Sequence, residues 1–376
     1  MAVAALAAGL KAQGRLIIDL GAGEPDFDTP AHIRAAAVAA MENGETRYTV
    51  LEGTRALRLA IAGKLERENG LGFPPEQILV SSGAKQSCFN AALAVLDPGD
   101  EAIVPSPYWV SYPEIVRLAG AEPVFVPTRQ DDGFRMQPEA LAAALTQRTR
   151  FIFLNSPANP TGAVYSRSEL AALGAVLRDY PQVVIASDEI YERIFWGKEP
   201  YCSFAAACPD LADRTITING VSKGYAMTGW RIGYAAGPPA LIGAMKKLQG
   251  QSTSNACSIS QAASAAALTG DQSVVQEMRD AFRDRQDYFV TALNRLPGVS
   301  CARADGAFYA FPDVTGAMRA TSVATDTAFA ELLLRETEVA VVPGTPFGAP
   351  GHVRLSYACG IDSLREAVHR LGRLLS

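Results

Sequence analysis

The feature that most constrains the fold is an alternation of short apolar runs with longer helix-like segments, which begins near residue 54. Short runs separated by helices are typical of strands that pair in parallel and are covered by helices on both faces. Six runs stand out: ILVSS (78–82), EAIVP (101–105), FIFLN (151–155), VVIAS (183–187), TITIN (215–219) and IGYAA (232–236). The sequence therefore predicts a large α/β domain built on a mostly parallel sheet.

A second, smaller domain is predicted from the last third of the chain. After about residue 270, a long charged helical pattern leads into strand-like runs of its own, GAFYAFPD, VAVVP and HVRLSYA. We expect residues 276–376 and the N-terminal residues 1–30 to form this domain, and residues 31–275 to form the large one. The apolar start, residues 1–15, predicts an amphipathic helix rather than a leader peptide.

Charge and hydrophobicity exclude two classes of partner. The chain has 34 basic and 39 acidic residues and a net charge of −5. No basic stripe is present that could follow a phosphate backbone, so we expect no nucleic-acid partner. No stretch approaches the ~20 apolar residues that a membrane span needs, so we expect no membrane partner either.

Cysteine and histidine usage argues against metal and triad chemistry. The six cysteines form no CxxC pair and no metal-ligand spacing, which is typical of scattered thiols in a reducing cytoplasm. Only three histidines exist, His32, His352 and His369, so zinc sites and histidine triads are disfavoured. We expect a cytoplasmic protein without a metal site.

Small and polar residues cluster where the predicted strands end. Ligands of open α/β sheets bind outside the carboxyl ends of the strands. The residues that follow these ends include Gly83, Ala84, Lys85, Asn159, Asp188, Ser222 and Lys223. The sequence therefore places a candidate site at this edge of the sheet.

Lysine chemistry is the best candidate for this site. Neither a GxGxxG after the first strand nor a GxxxxGK[ST] motif is present, so the usual phosphate cradles of nicotinamide and P-loop nucleotide sites are missing. Lys223 follows a buried strand in SKGYAMTGWRIGY, near Arg231. A lysine in such a place can have its pKa lowered enough to condense with an aldehyde. The alternative is a solvated loop lysine.

The residues around Lys223 fit the aldehyde cofactor pyridoxal 5′-phosphate (PLP). PLP needs a carboxylate that keeps its pyridine nitrogen protonated, and Asp188 ends a strand in the right part of the sheet. Its phosphate needs helix N-terminal amides and a cation, which SSGAKQSCFNAAL and Arg231 supply. Asp188 as a helix cap is the alternative.

An amino-acid substrate also needs an anchor for its carboxylate. Arg354 is the candidate, since it lies on a short β-like run after a loop rich in Gly and Pro. An isolated arginine of this kind is commonly a surface ion pair, and that alternative stays open at this point.

Together, these motifs resemble one family over nearly the whole chain. The chain is similar to the class I and II aminotransferases of PLP fold type I, most closely the bacterial branch of aspartate and prephenate aminotransferases. Nine motifs carry the resemblance in the family's order: GAGEPDFDTP, YTVLEGTRALR, SGAKQSCFNA, SPYWVSYPE, NSPANPTGAVY, SDEIYE, SKGYAMTGWRIGY, VPGTPFG and HVRLSYA. The resemblance implies a seven-stranded, mostly parallel sheet between helices and a smaller α/β domain.

The resemblance also implies a role for each site residue. Lys223 would form the Schiff base with PLP and carry the proton, Asp188 would pair with the pyridine nitrogen, and Trp109 would stack on the ring. Tyr191 and Asn159 would hydrogen-bond the phenolic oxygen of the cofactor.

Further residues would hold the two anionic groups. The phosphate would bind Gly83, Ala84, Lys85, Ser222 and Arg231, with Tyr48 reaching in from the other subunit of a homodimer. The substrate would contact Gly23, Lys85, Trp109, Asn159 and Arg354.

The implied reaction is amino transfer between an L-amino acid and a 2-oxo acid in two half-reactions. Lys85 favours aspartate and glutamate as substrates, although it can also act only on the charge near the phosphate. Two departures from the family lead us to expect a looser selectivity for dicarboxylates: Ala158 stands where a second Asn is common, and the sequence begins close to GAGEP.

Other functions remain open at this point. Prephenate or aromatic aminotransferase activity is the first alternative, and a carbon–sulfur β-lyase would keep Lys223, Asp188 and Arg231. A non-catalytic module fused to a DNA-binding head is disfavoured, because no basic helix-turn-helix segment precedes residue 20.

Overall fold

The fold is built around the predicted sheet of seven strands. A computed structural model of the chain describes residues 6, 9, 10 and 12–376, so most of the segment expected to form the N-terminal amphipathic helix lies outside the described residues. The strands of the central sheet are β2 (Ile78–Ser81), β3 (Glu101–Ser106), β4 (Glu122–Pro127), β5 (Thr149–Asn155), β6 (Val184–Asp188), β7 (Thr215–Gly220) and β8 (Gly233–Ala236).

Their order in space is β2-β8-β7-β6-β5-β3-β4. Strand β8 runs antiparallel to both of its neighbours, and the pairs from β7 to β4 are parallel. The predicted mostly parallel, seven-stranded sheet is therefore confirmed.

Strand β4 was missed in the sequence because it contains two prolines, Pro123 and Pro127. Proline has no N–H for the ladder and is therefore confined to edge strands or strand ends. β4 is indeed the last strand of the sheet, with β3 as its single neighbour.

Helices cover both faces of this sheet, as the alternation predicts. In residues 12–376, the α-helices of the sheet domain and of the C-terminal segment together are α1 (Ala31–Glu42), α2 (Arg55–Lys64), α3 (Ala84–Val95), α4 (Ser111–Leu118), α5 (Pro138–Ala144), α6 (Arg167–Leu177), α7 (Phe204–Ala207), α8 (Pro239–Ser252), α9 (Ser258–Thr269), α10 (Ser273–Leu293), α11 (Thr315–Ala320), α12 (Asp326–Thr337) and α13 (Ile361–Leu375). The long charged pattern near residue 270 forms α10.

Strand β5 shows how the two faces are buried. Phe151 and Phe153 point into a core shared with α3, α4 and α8, whereas Ile152 and Leu154 point into a core shared with α5 and α6. Successive side chains of a strand face opposite ways, so a run that is apolar throughout belongs between two layers of helices. This burial fixes the position of the carboxyl end of each strand.

The chain termini are linked by short strands. Strand β1 (Ile18–Asp19) pairs in parallel with β10 (Val339–Ala340), and β11 (Val342–Pro343), β12 (Val353–Ser356) and β9 (Tyr309–Ala310) form an antiparallel sheet in that order. The N-terminal segment is thus joined to the C-terminal one. Within the described part of the chain, no helix has the length and apolarity that crossing a membrane requires.

Candidate active site

A cavity of about 970 Å³ opens at the carboxyl edge of the central sheet. Most residues that the sequence singled out line this cavity: Gly23, Ala84, Lys85, Trp109, Asn159, Asp188, Tyr191, Ser222, Lys223, Arg231 and Arg354. Gly83 lies directly beside Ala84 at the start of α3. Tyr48 is the exception, because its side chain is 92% exposed and lies outside the cavity.

Lys223 is a perturbed amine and not a solvated loop lysine. It follows β7, and its Nζ donates a hydrogen bond to the backbone oxygen of Gly23. Burial, followed by the positive charges of Arg354 and Arg231, lowers the pKa of Lys223 from its ordinary 10.5 to about 8. Roughly a tenth of the amine is then neutral at pH 7, against well under a thousandth for an unperturbed lysine. Only the neutral amine is a nucleophile.

Asp188 is the buried anion of the site. Tyr112 donates its hydroxyl to Oδ2 over 2.6 Å, the Cys88 thiol lies 3.8 Å from the same oxygen, and the Ile190 amide donates to Oδ1 over 3.2 Å. Burial raises the pKa of Asp188, and these hydrogen bonds act in the opposite direction. A carboxylate has about four acceptor positions, so it keeps capacity for a further donor in the cavity.

The side chains of Tyr112 and Cys88 were not singled out in the sequence. Tyr112 is 2% exposed and Cys88 is fully buried. Tyr112 lies in the motif SPYWVSYPE, three residues after Trp109 on the chain. That motif pointed to Trp109 alone, because nothing in the sequence shows which helical residue faces Asp188.

Tyr191 is also held by a residue that the sequence did not indicate. Its hydroxyl and that of Tyr309 are 2.7 Å apart, and both side chains are buried. Burial, with the Tyr309 hydroxyl next, raises the pKa of Tyr191 well above its ordinary value. Tyr191 therefore stays protonated, and its hydroxyl is available as a hydrogen-bond donor or acceptor at the cavity wall.

An anion site lies at the start of α3. The first N–H groups of a helix have no acceptor within the helix and attract anions. Gly83, with φ of 88°, precedes the helix, and a Cβ added there would lie 2.1 Å from Nη2 of Arg231. A Cβ on Gly233 would lie 2.2 Å from the Ala84 backbone nitrogen. The left-handed φ favours glycine at position 83, and the close backbone of the turn requires glycine at position 233.

Arg354 is buried, so the alternative that it forms a surface ion pair is wrong. Nη1 donates to Oδ1 of Asn159 over 3.0 Å, and Nη2 donates to the backbone oxygen of Gly21 over 2.8 Å. The guanidinium also lies 4.6 Å from the ring centre of Tyr309. Its Nε is buried and has no hydrogen-bond partner among the described residues. A buried orphan donor is costly, so this group is suited to bind an acceptor supplied by a ligand.

Lys85 supplies a second cation on the cavity wall. Its Nζ lies 4.9 Å from the ring centre of Trp109, a distance at which an ammonium and an aromatic face attract each other. No acidic side chain of the described residues forms an ion pair with it. Three cationic side chains therefore line the cavity. Arg231 lies at the turn before α3, Lys85 lies beside Trp109, and Arg354 binds Asn159.

These residues fit PLP. The amine of lowered pKa suits the aldehyde, the buried carboxylate suits the pyridine nitrogen, and the glycine turn with its guanidinium suits the phosphate. The same cavity has an arginine with an unsatisfied donor that suits the carboxylate of an amino acid. The fold and the site define the PLP-dependent enzymes of fold type I.

Comparison with known families makes the assignment specific. Residues 15–371 match the family described as aminotransferase class I and II, and the chain belongs to this family. It is therefore a PLP-dependent aminotransferase, whose substrates are amino acids and 2-oxo acids.

Individual relatives match over nearly their full lengths. The chain is 53% identical to the aspartate/prephenate aminotransferase of Nitrosomonas europaea, covering 100% of this chain and 96% of that protein. The crystal structure of the aspartate aminotransferase from Rhizobium meliloti superposes with a TM-score of 0.96 at 46% identity, covering 99% and 94% of the two chains. That of Thermus thermophilus aspartate aminotransferase with maleate superposes with a TM-score of 0.93 at 45% identity, covering 100% and 96%.

The lowered pKa of Lys223 generates a prediction about cofactor uptake. The rate at which the PLP-free protein takes up excess PLP should rise with pH and reach half its maximum near pH 8, because the neutral amine reacts. Arg354→Gln removes a positive charge near the amine, so this midpoint should move to higher pH. Stopped-flow measurement of the visible absorption band gives both midpoints.

Arg178→Gln is the matched control, since Arg178 forms an exposed ion pair with Asp210 away from the cavity. Its midpoint should equal that of the unsubstituted protein. A midpoint near the ordinary lysine value of 10.5, or one that Arg354→Gln leaves in place, would contradict the electrostatic account.

Proposed function

We propose that this protein exchanges the amino group between aspartate or glutamate and the corresponding 2-oxo acids. The observation that carries the proposal is the placement of Arg354 and Lys85 on the wall of the cavity that contains Lys223. An amino dicarboxylic acid has two carboxylates, and each cation can bind one of them. The proteins named as relatives include aspartate aminotransferases from several bacteria, among them Geobacillus stearothermophilus and Bacillus subtilis.

The first group of residues would hold the cofactor ring. When bound, PLP supplies an electron sink that stabilises negative charge on the substrate Cα. Asp188 would keep the pyridine nitrogen protonated, and Trp109 would stack on the ring. Tyr191 and Asn159 would bind the phenolic oxygen of the cofactor. The support for these roles is that all four side chains line the same cavity as Lys223.

The second group would bind the phosphate. Gly83 precedes α3, which begins with Ala84 and Lys85, and the guanidinium of Arg231 lies against Gly83. Ser222 and Arg231 line the same cavity, so the amides of this turn, the Ser222 hydroxyl and the guanidinium would bind the phosphate. Arg231 is fixed by a hydrogen bond of 2.9 Å from Nη1 to the Thr228 backbone oxygen. Together these groups would anchor the cofactor by its phosphate.

The third group would orient the substrate and move the proton. Arg354 would bind the α-carboxylate, next to the Asn159 amide and the Gly23 backbone. Lys223 would then remove the proton from Cα through its Nζ and release it again to complete the transfer. A carboxylate clamped by a planar guanidinium leaves Cα little rotational freedom, so one bond of Cα is presented to the lysine.

Lys85 would select the dicarboxylic substrates by binding the distal carboxylate. In support, the Thermus thermophilus structure was obtained with maleate, a dicarboxylate. The alternative role for Lys85 is to tune charge near the phosphate, and the two roles differ in which kinetic constant they affect.

The selectivity prediction concerns Lys85→Met. The variant should lose kcat/KM for aspartate by about a hundredfold, as expected for one charge-assisted pair, and keep most of its kcat/KM for alanine or phenylalanine. The measurement is a panel of amino donors with 2-oxoglutarate, with products identified by chromatography. Oxaloacetate and glutamate are the products expected from aspartate.

Lys246→Met is the control, because Lys246 forms an ion pair with Glu52 outside the cavity. It should behave as the unsubstituted protein for every donor. If Lys85→Met slows all donors equally and weakens PLP binding, Lys85 serves the phosphate instead. Release of pyruvate, ammonia and sulfide from cysteine, with no amino transfer from aspartate or glutamate, would overturn the proposed exchange and indicate β-elimination.

A second candidate acceptor is prephenate. Two relatives with full-length coverage are named aspartate/prephenate aminotransferases, those of Nitrosomonas europaea and Cereibacter sphaeroides. Prephenate is itself a 2-oxo acid with a second carboxylate, so the pair formed by Arg354 and Lys85 suits it too. Prephenate as an acceptor in the same panel separates the two candidates, and aromatic amino acids as donors test the remaining alternative.

The domain limits also remain a proposal. The large domain would span residues 31–275, and the small one would combine residues 1–30 with 276–376. The pairing of Ile18 and Asp19 with Val339 and Ala340 supports this division.

For the cellular location, we propose the cytoplasm, with which the six unpaired cysteines are compatible.

We further propose a homodimer in which Tyr48 completes the partner subunit's phosphate site. Tyr48 and Val50, together with Val38 and Met41 of α1, are apolar side chains exposed on one part of the chain. Exposure of several such residues close together is typical of an interface. A Tyr48 hydroxyl that bound phosphate across this interface would be covered in the dimer.

Tyr48 can be tested in dimers of two different subunits. When Tyr48→Phe and Lys223→Ala are on different subunits, the remaining Lys223 site receives an intact Tyr48, and its PLP affinity should be that of the unsubstituted protein. When both substitutions are on one subunit, the affinity should fall about tenfold, as for one lost bond to a charged group. The visible absorbance that only Lys223 sites produce measures both constants.

Tyr180→Phe replaces Tyr48→Phe in the control dimers. The PLP affinity should then be the same whether the two substitutions are on one subunit or on different subunits. Equal affinities for the two Tyr48→Phe arrangements, or a mass that corresponds to one chain in sedimentation equilibrium, would overturn the proposal.

A further inference from the structure

The hydroxyl of Tyr112 makes the shortest contact with the Asp188 carboxylate. It lies 2.6 Å from Oδ2. An ionised carboxylate only accepts hydrogen bonds, so the tyrosine is the donor. The Cys88 thiol approaches the same oxygen at 3.8 Å, and a thiol is a weak donor. Tyr112 therefore supplies the principal side-chain hydrogen bond to this anion.

Three elements fix the Tyr112 ring independently of its hydroxyl. The residue lies in the first turn of α4, where its amide donates to the Trp109 backbone oxygen over 3.0 Å. Its ring stacks on Phe153 of β5 with centres 4.3 Å apart and planes 17° apart. The ring also meets the edge of Trp109 at 5.4 Å and 84°. The direction from the hydroxyl to Asp188 is thus set by packing.

Two further hydrogen bonds hold Asp188. The side-chain nitrogen of Asn155 donates to the backbone oxygen of Asp188 over 2.9 Å, and the backbone amide of Ile190 donates to Oδ1 of Asp188. The carboxylate therefore has one oxygen committed to Tyr112 and one that accepts a single amide at 3.2 Å. The second oxygen keeps the greater capacity for a donor in the cavity.

We propose that Tyr112 is a positioning residue that keeps Asp188 ionised and turned toward the pyridine nitrogen of PLP. This inference rests on the proposed role of Asp188. Burial in an apolar environment disfavours a charged carboxylate. A strong donor aimed at one oxygen opposes this effect and leaves the other oxygen for the cofactor. Tyr112 also contacts Trp109, so the same ring would hold the residue that stacks on the cofactor.

The proposal predicts a specific loss of discrimination at the cofactor nitrogen. The probes are PLP and its 1-deaza analogue, in which a C–H group replaces the ring nitrogen. The ratio of their dissociation constants from the cofactor-free protein measures the contribution of Asp188 to binding the nitrogen. The unsubstituted protein should prefer PLP, and Tyr112→Phe should reduce this preference about tenfold, or ~1.4 kcal/mol. Binding of the deaza analogue should change less than twofold.

The variant and its controls separate positioning from folding. Tyr112→Phe keeps the ring that stacks on Phe153 and removes only the hydroxyl. Tyr165→Phe is the matched control, because Tyr165 is also a buried tyrosine. Its hydroxyl accepts a hydrogen bond of 2.8 Å from the Met136 amide and does not bind Asp188. It should leave the preference unchanged. Asp188→Asn should abolish the preference, and Cys88→Ala should reduce it less than twofold.

The measured preferences test the role of Asp188 and the role of Tyr112 separately. If the unsubstituted protein binds the two probes equally, the proposed role of Asp188 is wrong. If it prefers PLP and Tyr112→Phe keeps the full preference, Tyr112 is not a positioning residue. If Tyr112→Phe weakens both probes equally, the residue acts on the shape of the pocket and the proposal is overturned.

Discussion

The structure depends on the burial of Asp188 and Lys223 at the ends of two adjacent parallel strands. β6 and β7 pair in register, and Asp188 lies beside Ile218 on β7, five residues before Lys223. Parallel strands end at the same edge of a sheet, so a buried anion and a partly buried amine share one cavity. Neither is stable as a charge in an apolar core, and each is matched by partners. The lowered pKa of Lys223 and the donors around Asp188 both follow from this placement.

A second set of buried polar groups supports the same segment of chain. Glu189, next to Asp188, accepts hydrogen bonds from Ser187 and Ser203, and burial, followed by the negative charge of Glu192, raises its pKa to about 7. Glu192 in turn pairs with Lys64, at the end of α2, which is 1% exposed. Removing one partner of a buried pair is strongly destabilising. The segment from Ser187 to Glu192 is therefore fixed by two sets of contacts. Glu189 and Glu192 bind buried partners outside the cavity, and Asp188 binds the donors around the cavity.

Local patterns predicted most strands of the sheet and several site residues, and the resemblance to the aminotransferase family implied the seven-stranded sheet and further site residues such as Trp109 and Tyr191. Six strands were visible as apolar runs, and Lys223, Asp188 and Asn159 follow three of them directly or within a few residues. Strand β4 was missed because two prolines obscure its pattern. The runs GAFYAFPD, VAVVP and HVRLSYA do contain strands of the C-terminal segment, although β9 and β11 have only two residues each.

The partners of the site residues could not be predicted, for a physical reason. Tyr112 and Asp188 are 76 positions apart, and Tyr191 and Tyr309 are 118 positions apart. Each pair meets only after a helix or a small strand packs on the sheet, so the contact is a property of packing and not of any motif. Tyr48 shows the opposite case: its motif indicates a site residue, and the single chain leaves the side chain exposed.

The central claim is that Lys223 is the lysine that binds the cofactor, and chemical trapping tests it most directly. The PLP-loaded protein would be reduced with borohydride and digested, and the labelled peptide identified by mass spectrometry. We expect a pyridoxyl group on Lys223 alone, with neither the visible band nor turnover in Lys223→Ala. A label on another lysine such as Lys85, or a Lys223→Ala variant that keeps the band and full turnover, would contradict it.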